Sequence, residues 1–278
     1  MQAHARKLGA KVVFSVAADE SYVELYARWY IKSVLKYCDV PFLIVVHVIG
    51  GSDRLKAIAA SLGISDPRVI YSGDDFDADA VKTRCFDTPP KNLIPRPVAH
   101  FQSVRFLRLG TLLEKLELPV FVSDIDLLLQ RGVKDLLERC ADADIVFNEN
   151  TGNKNPGSRL TANLMLAHPT HEAGVMLRFL RAYLTKALGG AEVSRWIDQF
   201  ALTMARHHVQ LHAPGANLQY FDTNSDINNV MYRSFEKNPF RFLSLYHGFD
   251  TSTLDSADSE GPVEAVAAPA KARRRKSR

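Results

Sequence analysis

The stretch Val120-Phe-Val-Ser-Asp124-Ile-Asp126-Leu-Leu-Leu129 joins an apolar run to two carboxylates that are one residue apart. The β-branched and aromatic residues before Asp124 are typical of a strand that is buried on both faces of a sheet. A parallel α/β sheet binds its ligands at the carboxyl ends of its strands, which is where this pair is predicted to lie. Extended backbone through Asp126 would point both carboxylates to the same side.

The two carboxylates repel each other unless a cation lies between them or one of them is protonated. A divalent cation that bridges the pair to a diphosphate would remove this repulsion, because Mg²⁺ and Mn²⁺ take oxygen ligands. An Asp-x-Asp pair also occurs in solvated turns, and in haloacid-dehalogenase-type phosphohydrolases as nucleophile and acid/base. The mid-chain position of the pair and the apolar continuation at Leu127 favour the metal–diphosphate interpretation over both alternatives.

Strand-like and helix-like patterns alternate on both sides of this stretch. Apolar runs predict strands over 12–17, 42–49, 68–71, 120–123, 144–147, 160–167 and 209–213. Helical periodicity predicts helices over 22–36, 54–62, 100–116, 133–139, 172–188 and 194–206. Irregular segments are expected over 72–97, which is rich in acidic residues and proline, and over the polar loop 148–158. The alternation predicts an α/β fold in which helices flank a mostly parallel sheet.

The composition is that of one globular domain: 46% of the 278 residues are apolar and 24% are charged. We expect an N-terminal extension over 1–11, a single domain over 12–250 and a disordered basic tail over 251–278. The three cysteines are too few and too scattered for a metal cluster or a disulfide framework, so we expect each to be a small buried hydrophobe. The apolar run over 12–18 is too short for a signal peptide or a membrane span, which favours a cytoplasmic protein.

Positive charge is concentrated at the end of the chain, where residues 271–278 carry six basic side chains. The formal net charge is +4, and without those six it is about −2. The body of the protein therefore lacks the basic balance of a specific nucleic-acid binder. The basic tail is compatible with a peripheral contact to a membrane surface.

Six segments, in order along the chain, resemble segments of the GT-A fold glycosyltransferases, nearest to glycosyltransferase family 8. They are 14–22, with Ala17, Asp19 and Tyr22; 101–106, with Arg105; 123–126, with Ser123, Asp124, Ile125 and Asp126; 161–166, with Asn163; 196–202, with Asp198 and Gln199; and 246–248, with His247. The resemblance covers about residues 12 to 250 and implies a Rossmann-like GT-A domain. The chain departs from the pattern after Asn163, where a glycine is usual, and in the late segment, which lacks the longer Lys-Pro-Trp pattern.

The resemblance also implies roles for these residues. It implies transfer of a sugar from a nucleotide-diphosphate donor, with a UDP-sugar expected, to an acceptor that could be a glycan, a lipid or a protein. It implies a Mn²⁺ or Mg²⁺ ion held by Asp124, Asp126 and His247, and a catalytic part for Asp198 and Gln199. It implies donor contacts from Ala17, Asp19, Tyr22, Arg105, Ser123, Asp124, Ile125 and Asn163.

Most of these residues also have a structural interpretation. Asp19 could cap the helix that follows it, and Tyr22 could belong to the core. Arg105 could be a solvated charge, Asp198 could decorate a helix start, and His247 could be a structural histidine. Two other functions remain open: a nucleotidyltransferase or other nucleotide-sugar enzyme, and a non-catalytic module that binds nucleotide or carbohydrate.

Overall fold

The computed structural model describes residues 1–86, 97–150, 159–221, 228–230 and 254, with backbone alone at 228–230. The strands are β1 (Val12–Asp19), β2 (Phe42–Ile49), β3 (Val69–Gly73), β4 (Arg84–Phe86), β5 (Val120–Ser123), β6 (Leu127–Leu129), β7 (Ile145–Glu149), β8 (Leu160–Ala167), β9 (Glu192–Ser194), β10 (Leu218–Phe221) and β11 (Asn228–Val230). The α-helices are α1 (Gln2–Lys7), α2 (Glu20–Tyr22), α3 (Arg28–Tyr37), α4 (Leu55–Ser61), α5 (Val98–Leu116), α6 (Lys134–Arg139), α7 (His171–Leu188) and α8 (Ile197–His212).

Seven strands form one sheet in the order β10-β7-β8-β5-β1-β2-β3. Strand β8 pairs antiparallel with both β5 and β7, and the other pairings in this sheet are parallel. Six strands therefore run in one direction and end at the same edge, called here the carboxyl edge. This arrangement confirms the predicted α/β fold with a mostly parallel sheet.

The sheet has an apolar core on each face because side chains alternate along buried strands. Phe14 and Ile44 belong to the core that includes α3, α4 and α6. Val13 and Leu43, one residue earlier in each strand, belong to the core that includes α5, α7 and α8. Strand β2 is buried along its whole length, as its continuous apolar run predicts for a central parallel strand.

The helix predicted over 22–36 is present, but it contains a turn of π-helix, Val23–Ala27, between α2 and α3. The wider turn changes which residues face the core. Tyr26 is fully buried, whereas Leu25, which the helical periodicity places on the apolar face, is 41% exposed.

The strand predicted over 209–213 is wrong, because residues up to His212 continue α8. Val209 is buried at a spacing of four from Ala205, which is helical periodicity, and Leu211 is 77% exposed. The strand in this region is β10, which begins at Leu218 after a turn. An alternating run of five residues did not distinguish the last turn of a helix from a short strand.

The cysteine prediction is confirmed, since Cys38, Cys85 and Cys140 are buried and free. Residue Leu254 lies in the predicted tail and is fully buried in the core that includes α3. The remainder of that tail, the segment 87–96 of the predicted excursion and the segment 151–158 of the predicted loop lie outside the described residues. No helix in the described part of the chain combines the length and apolarity needed to cross a membrane.

His47 joins β2 to β3 through a buried polar network. Its Nε2 lies 2.9 Å from Asp74 Oδ2 and its Nδ1 lies 3.0 Å from Ser72 Oγ. An ionised carboxylate only accepts, so Nε2 carries the proton and Nδ1 accepts from the Ser72 hydroxyl. Asp74 Oδ1 also accepts from the backbone N–H of Gly50 at 2.7 Å and of Phe76 at 3.2 Å.

The two-core arrangement predicts that truncating a buried leucine on a helix lowers the free energy of unfolding far more than truncating an exposed one. Leu109 is fully buried in α5, whereas Leu211 in α8 is 77% exposed. Leu109→Ala should lower the free energy of unfolding by about 2–5 kcal/mol. Leu211→Ala makes the same chemical change in a helix and should change it by less than about 0.5 kcal/mol. Urea unfolding of both variants measures these values, and equal losses would contradict the assigned packing of α5.

The buried position of His47 predicts a specific pH dependence of stability. Burial lowers the pKa of His47, against the opposing effect of Asp74. The unfolded chain therefore binds a proton at higher pH than the folded one. The stabilisation from neutral His47 is complete above about pH 6.5 and is lost as the pH falls below that value.

His47→Gln keeps a donor for Asp74 but removes this titration. The stability of the wild type relative to His47→Gln should therefore fall as the pH is lowered from about 7.5 to 5.5, with most of the change below about pH 6.5. Urea unfolding of both proteins across this range measures the difference. A difference that does not change with pH would show that His47 does not titrate abnormally.

Candidate active site

The Asp124–Asp126 pair lies in a turn at the carboxyl edge. Strand β5 ends at Ser123 and β6 begins at Leu127. The N–H of Leu127 donates to the carbonyl oxygen of Asp124 at 3.4 Å, so the backbone turns here instead of remaining extended. Strand alternation, which the sequence argument used, is therefore not what brings the two carboxylates together. Ile125 between them is only 3% exposed and anchors the turn in the core.

Two hydrogen bonds connect helix α3 to the strands on either side of this turn. Ser123 Oγ donates to Tyr30 Oη at 3.2 Å, and the N–H of Leu129 donates to Ser33 Oγ at 3.1 Å. Burial raises the pKa of the Tyr30 phenol, which therefore stays protonated. The Ser123 hydroxyl is thus used inside the core, and the Ile125 side chain is buried as well. Only the backbones of Ser123 and Ile125 remain to contact a donor.

The carboxylates of the pair have unequal environments. Burial first, and then the charge of Asp124, raise the pKa of Asp126 to about 8, while Arg105 acts weakly in the opposite direction. Burial and the neighbouring charge thus favour the protonated form of Asp126. An enclosed carboxyl beside a second carboxylate fits a hard divalent cation such as Mn²⁺ or Mg²⁺, which takes oxygen ligands.

The predicted third metal ligand, His247, lies outside the described residues. Within the described ranges, no group of three or more His, Cys, Asp or Glu side chains is placed to hold a metal ion. A metal-binding role for Asp124 and Asp126 stays a prediction.

Arg105 carries a buried positive charge beside the pair. Its side chain is 5% exposed, so it is not the solvated helix charge of the alternative interpretation. Its Nη2 lies 3.0 Å from Asp124 Oδ1 and 3.2 Å from Asp198 Oδ2, and it donates to the carbonyl oxygen of Ala162 at 3.0 Å. Its Nε is buried and has no hydrogen-bond partner among the described residues. One guanidinium thus links α5, the Asp124 turn and α8.

Asp198 lies in the first turn of α8 and is 3% exposed. Its Oδ1 accepts from the backbone N–H of Gln199 at 2.9 Å. Burial raises the pKa of Asp198 to about 6; Arg105 lowers it and Asp124 adds to the rise. Arg105 is the counter-ion that favours the charged form of Asp198. The side chain of Gln199 is partly exposed.

Asn163 on β8 is next to the turn. Its backbone oxygen accepts from the N–H of Asp124 at 2.9 Å. Its side-chain Oδ1 lies 2.8 Å from the Nδ2 of Asn148, which donates to it, and 2.9 Å from Thr161 Oγ1. These neighbours fix the amide plane of Asn163. Asn148 was expected in a polar loop, but it belongs to β7 and is 1% exposed.

At the end of β1, Asp19 caps the amino terminus of α2, which is the structural interpretation given for it above. Asp19 Oδ1 accepts from the N–H of Tyr22 at 3.0 Å and from Ser21 Oγ at 2.6 Å. Tyr22 packs beside Tyr26, with ring centroids 5.2 Å apart. Ala17 is 8% exposed and packs in a small apolar cluster with Val104 of α5. A donor contact by these three residues stays a prediction.

Hydrogen bonds or ion pairs thus join Arg105, Asp124, Asp198 and Asn163, and Asp126 lies in the same turn as Asp124. Sequence reasoning missed the supporting parts of Tyr30, Ser33 and Asn148. The sequence gives no local signal for Tyr30 and Ser33, because the partners of their hydroxyls are almost a hundred residues away along the chain. The one available signal was a polar residue at the end of an apolar strand, which applies to Asn148.

No protein-family model matches the chain, and no curated protein matches it. Among solved structures, the chain is similar to mouse xyloside xylosyltransferase 1 in its apo form, with 12% identity, 77% of this chain and 85% of that chain covered, and a TM-score of 0.45. It is also similar to the galactosyltransferase LgtC in complex with donor and acceptor sugar analogs, with 12% identity, 76% of this chain and 73% of that chain covered, and a TM-score of 0.48.

Proposed function

We propose that the protein is a metal-dependent glycosyltransferase of the GT-A type that moves a sugar from a nucleotide diphosphate, with UDP expected, to an acceptor. One observation carries the proposal. At the carboxyl edge, a buried arginine connects one carboxylate of an Asp-x-Asp turn to a second buried carboxylate on another helix. Open α/β sheets bind ligands at the carboxyl ends of their strands. In this sheet, β1 lies between β5 and β2.

Breaking the bond between the sugar and the diphosphate places negative charge on the diphosphate. Fixed positive charge that is already in position stabilises such a leaving group. Asp124 and Asp126 would hold a Mn²⁺ or Mg²⁺ ion, which supplies Lewis-acid stabilisation of the phosphate oxygens when it is bound. Arg105 would contribute the second positive charge, through an Nε whose hydrogen has no protein acceptor among the described residues.

Asp198 and Asn163 would orient the sugar. Asp198 is held by Arg105 and by the N–H of Gln199, so its position is fixed before a ligand binds. It would accept hydrogen bonds from sugar hydroxyls or take a proton from the acceptor. The Oδ1 of Asn163 is used within the protein, so its Nδ2 is the group that would donate to the sugar.

The acceptor would approach from the side of the irregular segment before α5. A cavity of about 170 Å³ is lined there by Phe76, Lys82, Cys85, His100 and Val193, among others. The Phe76 and His100 rings stack with centroids 3.7 Å apart. Aromatic and apolar walls favour an acceptor that presents an apolar face.

The proposal predicts that the purified protein releases free nucleotide from one member of a panel of nucleotide sugars, in the presence of Mn²⁺ and cell extract as the acceptor source. Asp124→Asn and Asp126→Asn should each reduce this release at least about 100-fold. Asp135→Asn, an exposed aspartate on α6, is the matched control and should have no effect. Chelation by EDTA should abolish the activity, and Mn²⁺ or Mg²⁺ should restore it.

The same assay separates the alternatives. Consumption of a nucleoside triphosphate with release of pyrophosphate would favour a nucleotidyltransferase. Binding of a nucleotide sugar without release from any donor would favour a binding module and overturn the transferase. Activity that survives EDTA would overturn the metal-binding role of the Asp pair.

The buried charge of Arg105 makes a second prediction. Arg105→Leu should lower the free energy of unfolding by about 3–5 kcal/mol, because it leaves the buried Asp198 and the partly exposed Asp124 without their counter-ion. Adding Asp198→Asn should recover part of this loss by removing one of those charges. Arg108→Leu, one turn further along α5 at a half-buried position, is the matched control and should cost less.

Donor turnover should behave differently from stability in these variants. If Arg105 and Asp198 contact the donor, turnover stays at least about 100-fold low in the double variant even where stability has recovered. Turnover that returns together with stability would show that Arg105 is only structural.

A further inference from the structure

Two histidines near the end of α8 are not part of the proposed active site. His208 and His212 are four residues apart, and their ring centroids are 4.3 Å apart with 37° between the planes. Residues at this spacing are neighbours on the same face of a helix. His208 is partly exposed and His212 is exposed, so both rings are accessible from solvent.

The His208 ring is held in place from the other side. It stacks on Phe179 of α7, with centroids 4.2 Å apart and 14° between the planes. A side chain already ordered by packing loses less entropy when it binds a ligand. In the described part of the chain, neither imidazole makes a hydrogen bond or an ion pair, so their ring nitrogens are not committed to protein partners.

From this geometry we propose that His208 and His212 chelate a divalent transition-metal ion of the Ni²⁺, Cu²⁺ or Zn²⁺ class. Imidazole is a preferred ligand of these ions, and two histidines at i and i+4 on a helix form a known chelating pair. Rings that share one metal through bonds of about 2.1 Å, at an angle near 90°, have centroids about 4.5 Å apart, close to the observed spacing. The remaining coordination positions are filled by water.

The position of the two histidines on the helix adds an electrostatic contribution to metal binding. His212 is the last residue of α8 and His208 is one turn before it. The carboxyl end of a helix carries partial negative charge, which stabilises a bound cation. The ligand type also separates this site from the Asp124 turn, since two nitrogens select Ni²⁺, Cu²⁺ or Zn²⁺ and two carboxylates select Mg²⁺ or Mn²⁺.

The test is calorimetric titration of the full chain, without an affinity tag, with Ni²⁺ in an Asp124→Asn/Asp126→Asn background. One ion should bind with a dissociation constant in the micromolar range, and excess Mg²⁺ should not displace it. His208→Ala and His212→Ala should each weaken binding at least ten-fold. His207→Ala removes an exposed histidine that is not four residues from either partner, so it should leave binding unchanged.

Two results would overturn the proposal. One is the absence of a micromolar site in the background protein. The other is a loss of affinity in His207→Ala as large as in His208→Ala, which would place the site elsewhere. Cu²⁺ electron paramagnetic resonance checks the ligands directly, because two coordinated nitrogens should be seen and His212→Ala should reduce them to one. The variants should fold, since both side chains lie at the surface.

Discussion

The geometry of this site depends on the need to balance negative charge in a place with little water. Asp124, Asp126 and Asp198 lie together at the end of a buried sheet, and the one cation whose contacts with them are described is Arg105. A single guanidinium cannot neutralise three carboxylates. Burial raises the pKa values of Asp126 and Asp198, and the charge of Asp124 adds to the rise in both. A bound cation would relieve the same imbalance.

Packed elements of the fold hold these charged side chains in place. The turn that carries the Asp pair is fastened by the buried Ile125 and by hydrogen bonds to α3, while Arg105 and Asp198 project from separate helices into the same space. Each of these elements is itself part of an apolar core. The charges are therefore positioned by packing that does not depend on them, which is how a protein can maintain groups that repel one another.

Much of the fold could be predicted from the sequence, because long apolar runs and helical periodicity determine it. Strands β2 and β8 have the predicted ends, and α5 and α7 differ from prediction by two residues or fewer. The errors occurred where local patterns are short or irregular. The last turn of α8 has an alternating composition, and nothing in the sequence marks the π-helical turn at Val23–Ala27. For the candidate site, the Asp pair, Arg105, Asp198 and Asn163 could be selected from the residues and the family resemblance. Their mutual contacts and the supporting hydroxyls of Tyr30 and Ser33 required three dimensions, since they join residues far apart in sequence.

The reversed direction of β8 affects how such a protein can diversify. In a wholly parallel sheet, every return connection must cross a face of the sheet, usually through a helix. Because β8 runs against β7, the chain joining them leaves and re-enters at the carboxyl edge, beside Asp124 and Asn163. Doubling the length of such a connection costs only about 0.6 kcal/mol in closure entropy. The segment between these two strands can therefore lengthen, shorten or change composition over evolution and present new surfaces to ligands, while the register of the sheet and both cores stay as they are.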